Sequence, residues 1–513
     1  MSGLFLGIDL GTSAVKAVAA DERAREMATG SAGCRVHQPG PDRQEQDPEE
    51  VWECMAAAVR EALAGIETSR LRAVSFSAAM HGMMAVDKDG RPLTRMFTWA
   101  DGRAAAQAKE LARRDGADIF QRTGCPATAL YYPAKISWLK ENAPEVFQSA
   151  AKFVSIKDAV IHRLTGQWVS DRSHASSNGL LDARRLEWDA PTLDAIGIGA
   201  ERLPRLCDPD RAAGGLLPGP AAALGLPAGI PVVPGAGDGG LANLGSGAIL
   251  PGQAAATIGT SGAMRKVLAS PWLDPAAKVW LYYLADQFWY AGGAINSGGI
   301  ILRWLRDQVL SDLRDRAMAQ GAEPYERIIA LAETAGPGAQ GLIFLPYLHG
   351  ERTPYWDPKA RGVFFGLGPH HGQAHLARAV LEGICMSMAL LHELLAGSPG
   401  GVSEVRASGG FTRSAAWVQL LADMLGTAVS LTRARENSAL GAAILGMKAA
   451  GAVKDLSAAA KMIEVERVFE PDLEKTAFYR ERFEMFKQLY RHLEQDFERW
   501  DELQRKEPQM NAD

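Results

Sequence analysis

One local pattern occurs twice in this chain, and the repetition limits the possible folds more than any other feature. An apolar run ends in Gly-Thr-Ser at residues 11–13, and a second apolar run ends in Gly-Thr-Ser at residues 259–261. Both turns are followed by another apolar stretch that carries basic residues. A strand, a tight turn and a returning strand account for each copy. Because the copies lie about half the chain apart, we predict two homologous halves that open in the same way.

The second half of the chain alternates between the two kinds of secondary structure. Apolar runs predict strands at 341–345, 402–407 and 428–431, and helical spacing predicts helices at 371–395, 413–425 and 438–450. This alternation is typical of α/β domains. A chain of 513 residues also exceeds the size of a single core. We place an N-terminal domain at 1–246, a C-terminal domain at 247–500 and a disordered tail at 501–513.

Composition excludes several classes of partner. The net charge is −5, so the basic footprint of a nucleic-acid-binding protein is missing. The sequence shows neither a signal peptide nor an apolar run close to the ~20 residues of a membrane helix, so we expect no membrane association. The cysteines are few and scattered, which is typical of reduced thiols in a cytoplasmic protein. They are Cys34, Cys54, Cys125, Cys207 and Cys385.

The first repeated turn has the composition of a phosphate site. Gly11 permits a tight turn in which backbone N–H groups converge on an anion, and Thr12 and Ser13 add hydroxyl donors. Lys16 on the returning strand could reach phosphate oxygens. Asp9, at the end of the preceding strand, could hold Mg²⁺ through water. The same residues also suit a plain β-turn, and spacing alone leaves both interpretations open.

Two further glycine turns follow strands. Gly259 and Thr260 offer the same donors as the first turn, and a facing pair of such turns would clamp a polyphosphate. Gly409 and Gly410 would let the backbone approach a nucleotide closely, although they could equally form the turn before the next helix. The Walker pattern is absent from all three turns, and the first strand lacks the dinucleotide fingerprint.

Asp238 is the strongest candidate for a catalytic group. It follows a predicted strand at 230–234 and is flanked by glycines on both sides. Glycines would let a substrate and a phosphate approach the carboxylate, and phosphoryl transfer to an alcohol needs a group that accepts the hydroxyl proton. A carboxylate at this position could instead cap the following helix. Composition alone does not separate the two roles.

A polar cluster in the first half suits a polyhydroxylated ligand. Met80 and His81 follow a predicted strand, and Trp99 precedes Asp101 and Arg103, where we predict a helix over 101–114. A carboxylate accepts hydrogen bonds from hydroxyls, a guanidinium donates them, and an indole covers a C–H face. The alternatives are a structural histidine at position 81, and a helix cap with a surface ion pair at positions 101 and 103.

Together these features resemble the FGGY carbohydrate kinases of the actin and hexokinase superfamily. The resemblance extends from Gly7 to about Gly451, and residues 349–362 are its most specific motif. Residues 7–13, 237–240 and 436–443 also match. The resemblance implies two ribonuclease H-like α/β domains with a cleft between them, in which ATP and Mg²⁺ bind.

The resemblance also implies roles for the candidate residues. Asp9 and Asp238 would flank Mg²⁺, and Asp238 would deprotonate the substrate hydroxyl. The phosphates would be surrounded by Gly11, Thr12, Lys16, Gly259 and Thr260. The adenosine would be bordered by Gly409, Gly410 and Asn437.

Within the family, the chain is most similar to gluconate kinases, on residues 75–81, 98–103, 155–158 and 292–299. The implied substrate is a sugar acid whose carboxylate needs a cation, for which Arg103 and Lys135 are candidates. Xylulose kinases are the alternative, but they typically carry Gln where this chain has Ala79. A module that hydrolyses ATP without a sugar is a third hypothesis. Homodimers are the commonest soluble assembly, so we expect a homodimer on that ground alone.

Overall fold

The computed structural model describes residues 3–506, which form two compact units. The first unit comprises Met1–Pro251, Lys266–Ala291 and Arg433–Glu464, and the second comprises Gly252–Arg265, Gly292–Thr432 and Val465–Asp513. The predicted domain boundary near residue 246 therefore lies close to the first of these divisions. Two later segments return to the first unit, which a single boundary does not describe.

Residues 3–251 contain most of the first unit. Its strands are β1 (Leu4–Leu10), β2 (Ala14–Asp21), β3 (Glu26–Gly33), β4 (His37–Gly40), β5 (Arg43–Gln46), β6 (Leu71–Ala78), β7 (Met84–Val86), β8 (Met96–Phe97), β9 (Lys152–Val154), β10 (Val169–Asp171), β11 (Arg205–Cys207), β12 (Gly214–Gly215) and β13 (Pro231–Gly237). Its helices are α1 (Pro48–Ala62), α2 (Ala105–Thr123), α3 (Tyr132–Asn142), α4 (Pro144–Ser149), α5 (Ile156–Thr165), α6 (Arg172–Ser176), α7 (Ala190–Ile196), α8 (Pro218–Leu224) and α9 (Asp238–Gly245).

The rest of the described chain, from residue 252 to residue 506, again mixes strands and helices. The strands are β14 (Gln253–Ile258), β15 (Gly262–Leu268), β16 (Trp280–Ala285), β17 (Phe288–Ile295), β18 (Ile343–Pro346), β19 (Gly362–Phe365), β20 (Glu404–Ser408), β21 (Ala428–Thr432) and β22 (Val465–Phe469). The helices are α10 (Gly299–Trp304), α11 (Ser311–Ala319), α12 (Pro324–Thr334), α13 (Gln373–Ala396), α14 (Ala415–Leu425), α15 (Asn437–Ala449), α16 (Leu456–Ala460) and α17 (Leu473–Lys506).

The main sheet of the first unit has the strand order β3-β2-β1-β6-β13-β12. Strands β1, β2 and β3 form an antiparallel meander. Strand β6 pairs with β1 in parallel, and β13 pairs with β6 in parallel. β1 and β6 are almost wholly buried, as expected for central strands with a helix on each face. The parallel strands β1, β6 and β13 therefore end at the same edge of the sheet.

A second sheet has seven strands in the order β16-β17-β15-β14-β20-β21-β22, and the six from β17 onward repeat the order of the first sheet. Its strands β14, β20 and β21 are parallel, and β22 is antiparallel to β21, as β12 is to β13. Each Gly-Thr-Ser turn lies between the first strand of its sheet and the returning strand, β1–β2 in one sheet and β14–β15 in the other. The predicted pair of homologous α/β halves is therefore confirmed.

Helix α15 comes late in the sequence but packs on β1, β6 and α9 in the first unit. Small residues let the backbones approach. A Cβ atom on Gly7 would lie 1.9 Å from the carbonyl oxygen of Ala439, and one on Gly441 would lie 2.2 Å from that of Leu241. Helix α15 is therefore an integral layer of the unit that carries β1.

Three helices differ from the prediction. Helix α2 begins at Ala105 rather than at residue 101. Asp101 lies in the loop before the helix, where its carboxylate accepts one hydrogen bond from the Gln44 N–H and another from the Arg103 side chain. Helix α13 has the length and apolar composition of a membrane-spanning helix, contrary to the expectation from the sequence, but it is mostly buried as a core helix of the second unit. Helix α17 reaches Lys506, six residues into the segment predicted to be disordered, and residues 507–513 lie outside the described part.

Candidate active site

Two carboxylates lie at the shared edge of the first sheet, at the ends of β1 and β13. Asp9 is paired with Ser77 of β6 in the strand register, and the Ser77 hydroxyl donates a hydrogen bond of 2.6 Å to its carboxylate. Asp238 is the first residue of α9 and directly follows β13, and its carboxylate accepts a hydrogen bond of 2.6 Å from the Gly239 N–H. The fold therefore brings together two acidic residues that are more than 200 positions apart in the sequence.

The environment of Asp9 disfavours a second negative charge. Burial, and next the nearby Asp238 carboxylate, raise the pKa of Asp9 to about 7, although Ser77 and Lys16 act in the opposite direction. Two carboxylates in such a site repel each other unless a cation lies between them. Within residues 3–506 no group of three or more His, Cys, Asp or Glu side chains is arranged to hold a metal ion. Mg²⁺ needs only one or two protein carboxylates, because water and phosphate oxygens complete its coordination shell.

The turn after β1 is closely packed. Gly11 has no room for a side chain, since a Cβ atom would lie 2.5 Å from the Ala14 carbonyl oxygen. The Thr12 carbonyl oxygen accepts a hydrogen bond from the Gln46 amide, and the Thr12 hydroxyl accepts one of 3.1 Å from the Trp99 indole. Ser13 is exposed. These contacts hold the turn that the sequence assigns to phosphate binding.

Lys16 points toward an acidic partner from α15. Its ammonium lies 2.7 Å from the Glu436 carboxylate, and both side chains are about a third exposed. The hydroxyl of Ser438, two residues after Glu436, donates a hydrogen bond of 3.2 Å to the Asp238 carbonyl oxygen. The N-terminal end of α15 thus contacts both the lysine of the first turn and the backbone of Asp238.

Met80 and His81 lie beyond the end of β6. The His81 Nδ1 donates a hydrogen bond of 2.6 Å to the Ser177 carbonyl oxygen, and its ring packs edge-on against Tyr131 and Tyr282. The buried Tyr290 hydroxyl donates to the Met80 sulfur over 3.3 Å. Met80 also lies against Gly237, where a Cβ atom would be 2.8 Å from its sulfur. Met80 is therefore adjacent to the backbone that carries Asp238.

Trp99 and the pair Asp101–Arg103 face different surroundings. The Trp99 side chain is 39% exposed, next to the turn at 11–13. Asp101 and Arg103 are instead buried, and they bind each other over 2.7 Å. The Arg103 guanidinium also contacts Glu45 over 2.5 Å and stacks on the Phe97 ring. The two carboxylates thus occupy the Nε and Nη2 donors of Arg103.

Lys135, the second cation that the sequence suggests for a substrate carboxylate, is fully buried. Its ammonium donates to the carbonyl oxygens of His81, over 2.7 Å, and of Thr98, over 2.9 Å. Burial, together with the neighbouring Arg103, lowers the pKa of Lys135 to about 7, although Asp101 acts in the opposite direction. Lys135 therefore links the loop that carries His81 to the loop that carries Trp99.

The second unit contains a cavity of about 330 Å³ beside its own glycine turn. This volume is within the usual range for small-ligand sites. The cavity is lined by Ile258, Gly259, Thr260, Gly299, Leu302, Arg303, Glu323, Tyr325, Glu326, Ile329, Gly410, Phe411, Arg413, Ser414 and Trp417. Three of the predicted nucleotide-binding residues, Gly259, Thr260 and Gly410, thus share one cavity with apolar and aromatic side chains.

Gly409, next to Gly410 of this cavity, has no room for a side chain. Gly409 has φ of 101°, and a Cβ atom there would lie 2.4 Å from the Ile258 carbonyl oxygen. Asn437, the remaining predicted nucleotide residue, belongs to the first unit and begins α15. Its carbonyl oxygen lies against Gly245 of α9, where a Cβ atom would be 1.9 Å away.

The residues that sequence reasoning missed are of two kinds. Ser77 and Glu436 contact predicted site residues directly. A signal existed for each, since Ser77 ends the strand next to β1 and Glu436 opens a family motif. The apolar wall of the cavity, including Leu302, Ile329 and Phe411, gave no such signal because its spacing is that of ordinary core helices.

Comparison with known proteins decides the family. The model of the FGGY family of carbohydrate kinases, N-terminal domain, matches residues 4–245, and the model of its C-terminal domain matches residues 254–450. The chain belongs to the FGGY family of carbohydrate kinases. As a sugar kinase of this family, it uses ATP as its phosphate donor. The strand ends, glycine turns and cavity described above are thus parts of an FGGY kinase.

Relatives of this FGGY kinase include enzymes for two kinds of substrate. A gluconokinase of Bacillus licheniformis is 35% identical over 97% of each chain. A xylulose kinase of Escherichia coli is 32% identical over 96% of this chain and 99% of the relative. The crystal structure of gluconate kinase from Lactobacillus acidophilus superimposes with a TM-score of 0.92 at 30% identity, covering 98% of this chain and all of the other.

Proposed function

We propose that this FGGY kinase transfers the γ-phosphoryl group of ATP to the terminal hydroxyl of gluconate, giving 6-phosphogluconate and ADP. The observation that carries the substrate is the 35% identity with a gluconokinase over almost the whole of both chains. The similarity of fold to a gluconate kinase supports the same assignment. The chemistry itself rests on the carboxylates at the ends of β1 and β13.

In this proposal Asp238 is the catalytic base. It accepts the proton of the substrate hydroxyl while the hydroxyl oxygen attacks the γ-phosphorus and ADP departs with the bridging oxygen. Its neighbours Gly237 and Gly239 carry no side chains, so ligands can approach the carboxylate from either side. The position of Asp238 at the end of a buried strand also supports this role, because a rigid element can hold the base at a fixed distance from the hydroxyl.

Asp9 and Asp238 are the residues that would hold Mg²⁺. The raised pKa of Asp9 supports this role, since a cation between the two carboxylates would relieve both the cost of burial and the mutual repulsion. When bound, the ion would neutralise charge on the transferring phosphoryl group. The Ser77 hydroxyl would keep the Asp9 carboxylate in one orientation.

The nucleotide is proposed to use donors on both glycine turns. The phosphate donors of the first turn would be Gly11, Thr12, Ser13 and Lys16, and those of the second turn would be Gly259 and Thr260. The cavity of the second unit, with Gly409 and Gly410 at its edge, offers an apolar site for the nucleoside. Asn437 would border the adenosine.

The substrate is proposed to lie against Met80, His81 and Trp99, which are close to Asp238 or to the turn at 11–13. Contact of Asp101 and Arg103 with the substrate remains a prediction, because both side chains already bind protein partners. Lys135 is too deeply buried to reach a ligand. We therefore assign it an indirect role, through the His81 and Thr98 carbonyl oxygens.

A coupled ADP-release assay over sugars and sugar acids tests the proposal. We expect gluconate to give the highest kcat/KM, and Asp238→Asn to lower kcat by about 10²–10⁴-fold, since it removes the proton acceptor. A kinase that prefers xylulose would support the alternative substrate, to which the E. coli relative points. If no sugar raises turnover above the rate with ATP alone, the protein is an ATPase and the kinase proposal fails.

Location and assembly are also proposals. All five cysteines are free, which supports a reducing compartment such as the cytoplasm. A homodimer is the commonest assembly for a soluble enzyme. Sedimentation of the purified protein over a range of concentrations would measure the assembly directly.

A further inference from the structure

A buried lysine lies beneath the backbone that carries Asp238. Lys157 is the second residue of α5, and its side chain is completely buried. Its ammonium contacts the Asp171 carboxylate over 2.6 Å and donates a hydrogen bond of 2.9 Å to the Ala236 carbonyl oxygen. Ala236 is two residues before Asp238, so a fixed positive charge touches the strand just ahead of the proposed base.

The backbone on either side of Asp238 is rich in glycine. Of the six residues within three positions of Asp238, the four at 235, 237, 239 and 240 are glycines, which have the widest conformational freedom. The pairing of β13 with β6 is also irregular between Val233 and Ala236. On the other edge of β13, the pairing with β12 ends at Val232. Pairing with β6 resumes at Ala236 and Gly237, and contacts from Lys157 and Ser173 add to it at the end of the strand.

The peptide group between Ala236 and Gly237 is held from two directions. Lys157 binds its carbonyl oxygen, and its N–H donates a long hydrogen bond of 3.4 Å to the Ser173 hydroxyl. Ser173 lies in α6, whose first turn is capped by the Asp171 carboxylate. One cluster thus fixes the plane of the peptide group from which the chain proceeds to Asp238.

Stability alone does not explain a buried ion pair of this kind. The free energy lost when two charges leave water often exceeds the free energy gained from their attraction. Replacing such a pair with apolar residues is therefore often neutral or stabilising. The pKa of Asp171 is raised by burial despite the contact with Lys157, which is consistent with a costly environment. A role in geometry accounts for the pair better than a role in stability.

We propose that Lys157, fixed by Asp171, is a positioning residue that sets the direction of the Asp238 carboxylate. This inference rests on the proposed role of Asp238 as the base. Lys157 does not touch substrate or nucleotide. It acts only through the Ala236–Gly237 peptide group, so its loss should lower kcat and leave the KM values for ATP and the sugar unchanged.

The test is a double-mutant cycle with the substitutions K157M/D171L and D238N in the full-length enzyme. The apolar pair removes both charges together, which avoids leaving one of them buried alone. We expect K157M/D171L to lower kcat by about 10–100-fold, since a shift of about 1 Å at a catalytic group can cost about 10²-fold. Both KM values should stay within about twofold. In the D238N background the same change should cause no further loss.

Each other outcome overturns the inference. A folded K157M/D171L enzyme with normal kcat shows that the pair does not position the base. An equal loss of kcat in the wild-type and D238N backgrounds shows that it acts by another route. A D238N enzyme of normal rate removes the proposed base itself, and so separates failure of the proposed function from failure of this inference.

Two further variants guard against a general folding defect. R378M/E382L replaces another buried ion pair, which lies in the second unit and joins Arg378 to Glu382 over 2.7 Å. It should change the unfolding midpoint without changing kcat. If K157M/D171L does not fold, K157Q/D171N takes its place in the cycle, because it also removes both charges but keeps polar side chains at both positions. It should lower kcat in the wild-type background and cause no further loss with D238N, and an equal fall of kcat in both backgrounds counts against the inference.

Discussion

At the scale of single residues, the first unit relies on two buried lysines that bind backbone carbonyl oxygens. Lys157 contacts the strand that precedes Asp238, and Lys135 joins the loops of His81 and Trp99. The Asp171 carboxylate offsets the buried charge of Lys157, whereas the Lys135 ammonium donates to carbonyl oxygens, which carry no full charge. Both lysines nevertheless hold backbone segments of the site in place through those carbonyl oxygens.

Lys135 should make stability depend on pH in a definite direction. Its pKa is about 7 in the folded protein and 10.5 in the unfolded chain. Between these values the unfolded chain binds the proton and the folded protein does not, so the free energy of unfolding rises with pH across this window. We expect the difference in unfolding free energy between the wild type and Lys135→Met to grow from pH 7 to pH 9 in urea titrations.

The slope with pH is the readout, since Lys135→Met also leaves two carbonyl oxygens without their donor at every pH. Lys109 is an exposed lysine on α2 and supplies the matched control. Lys109→Met tests whether loss of any lysine produces the same slope. A difference for Lys135→Met that stays constant from pH 6 to pH 9 would contradict the prediction.

At the scale of elements, contact between α15 and β1 depends on the absence of side chains. A Cβ atom on Gly7 would lie 1.9 Å from the Ala439 carbonyl oxygen and 2.6 Å from the Ala443 nitrogen. Both are backbone atoms of one helix, which cannot move aside like a flexible side chain. We expect Gly7→Ala to lower the free energy of unfolding by about 3 kcal/mol or more, at the upper end of the usual cost of overpacking, in chemical denaturation.

The same helix offers the control. Gly446 lies in α15, and a Cβ atom there would be 3.4 Å from the Ser75 Cβ, an ordinary contact distance. Gly446→Ala should leave stability unchanged or raise it by up to about 1 kcal/mol, since alanine is the better helix former. Equal effects of Gly7→Ala and Gly446→Ala would show that the close approach at Gly7 does not control the packing.

Several elements were predictable from local sequence, and the reasons are physical. The strand before Asp9, the returning strand with Lys16 and helix α1 each follow from apolar runs, turn residues and an N-terminal proline. The start of α2 was not predictable, because Asp101 is bound by the backbone of Gln44, far from it in sequence. The contacts of Lys157 were equally hidden, since its partners Asp171 and Ala236 lie in two other segments of the chain.

At the scale of the whole molecule, the family and the two homologous halves were predictable, whereas the composition of each unit was not. Residues 266–291 and 433–464 return to the first unit. Which unit these segments join depends on contacts between residues that are distant in sequence, and local sequence patterns do not predict such contacts. The predicted role of Asn437 in nucleotide binding illustrates this, because its helix belongs to the unit that carries Asp9.

The two units should respond differently to a nucleotide. We expect ADP without metal to slow hydrogen exchange at 258–260, 299–303 and 410–417, which line the cavity of the second unit. Ligand binding stabilises the site that it occupies relative to open states. Hydrogen exchange followed by mass spectrometry measures this segment by segment, and Phe411→Ala, which removes an apolar wall, should weaken the protection.

A competing site makes this measurement decisive. The first unit has a cavity of about 420 Å³ whose lining includes Arg25, Arg433 and Arg435, and arginines also attract phosphates. Protection by ADP that appears at 24–26 and 433–435, and not at 410–417, would contradict the proposed nucleoside site.

The late return of α15 to the first unit has a consequence for synthesis on the ribosome. A nascent chain that ends at residue 251 already contains Asp9, Lys16 and Asp238, but it lacks the helix that covers β1. Residues 292–432 must be translated before Glu436 and Ser438 can reach their contacts. The growing chain therefore keeps apolar surface uncovered for much of its translation, and a premature stop anywhere before α15 releases a product whose first unit is incomplete.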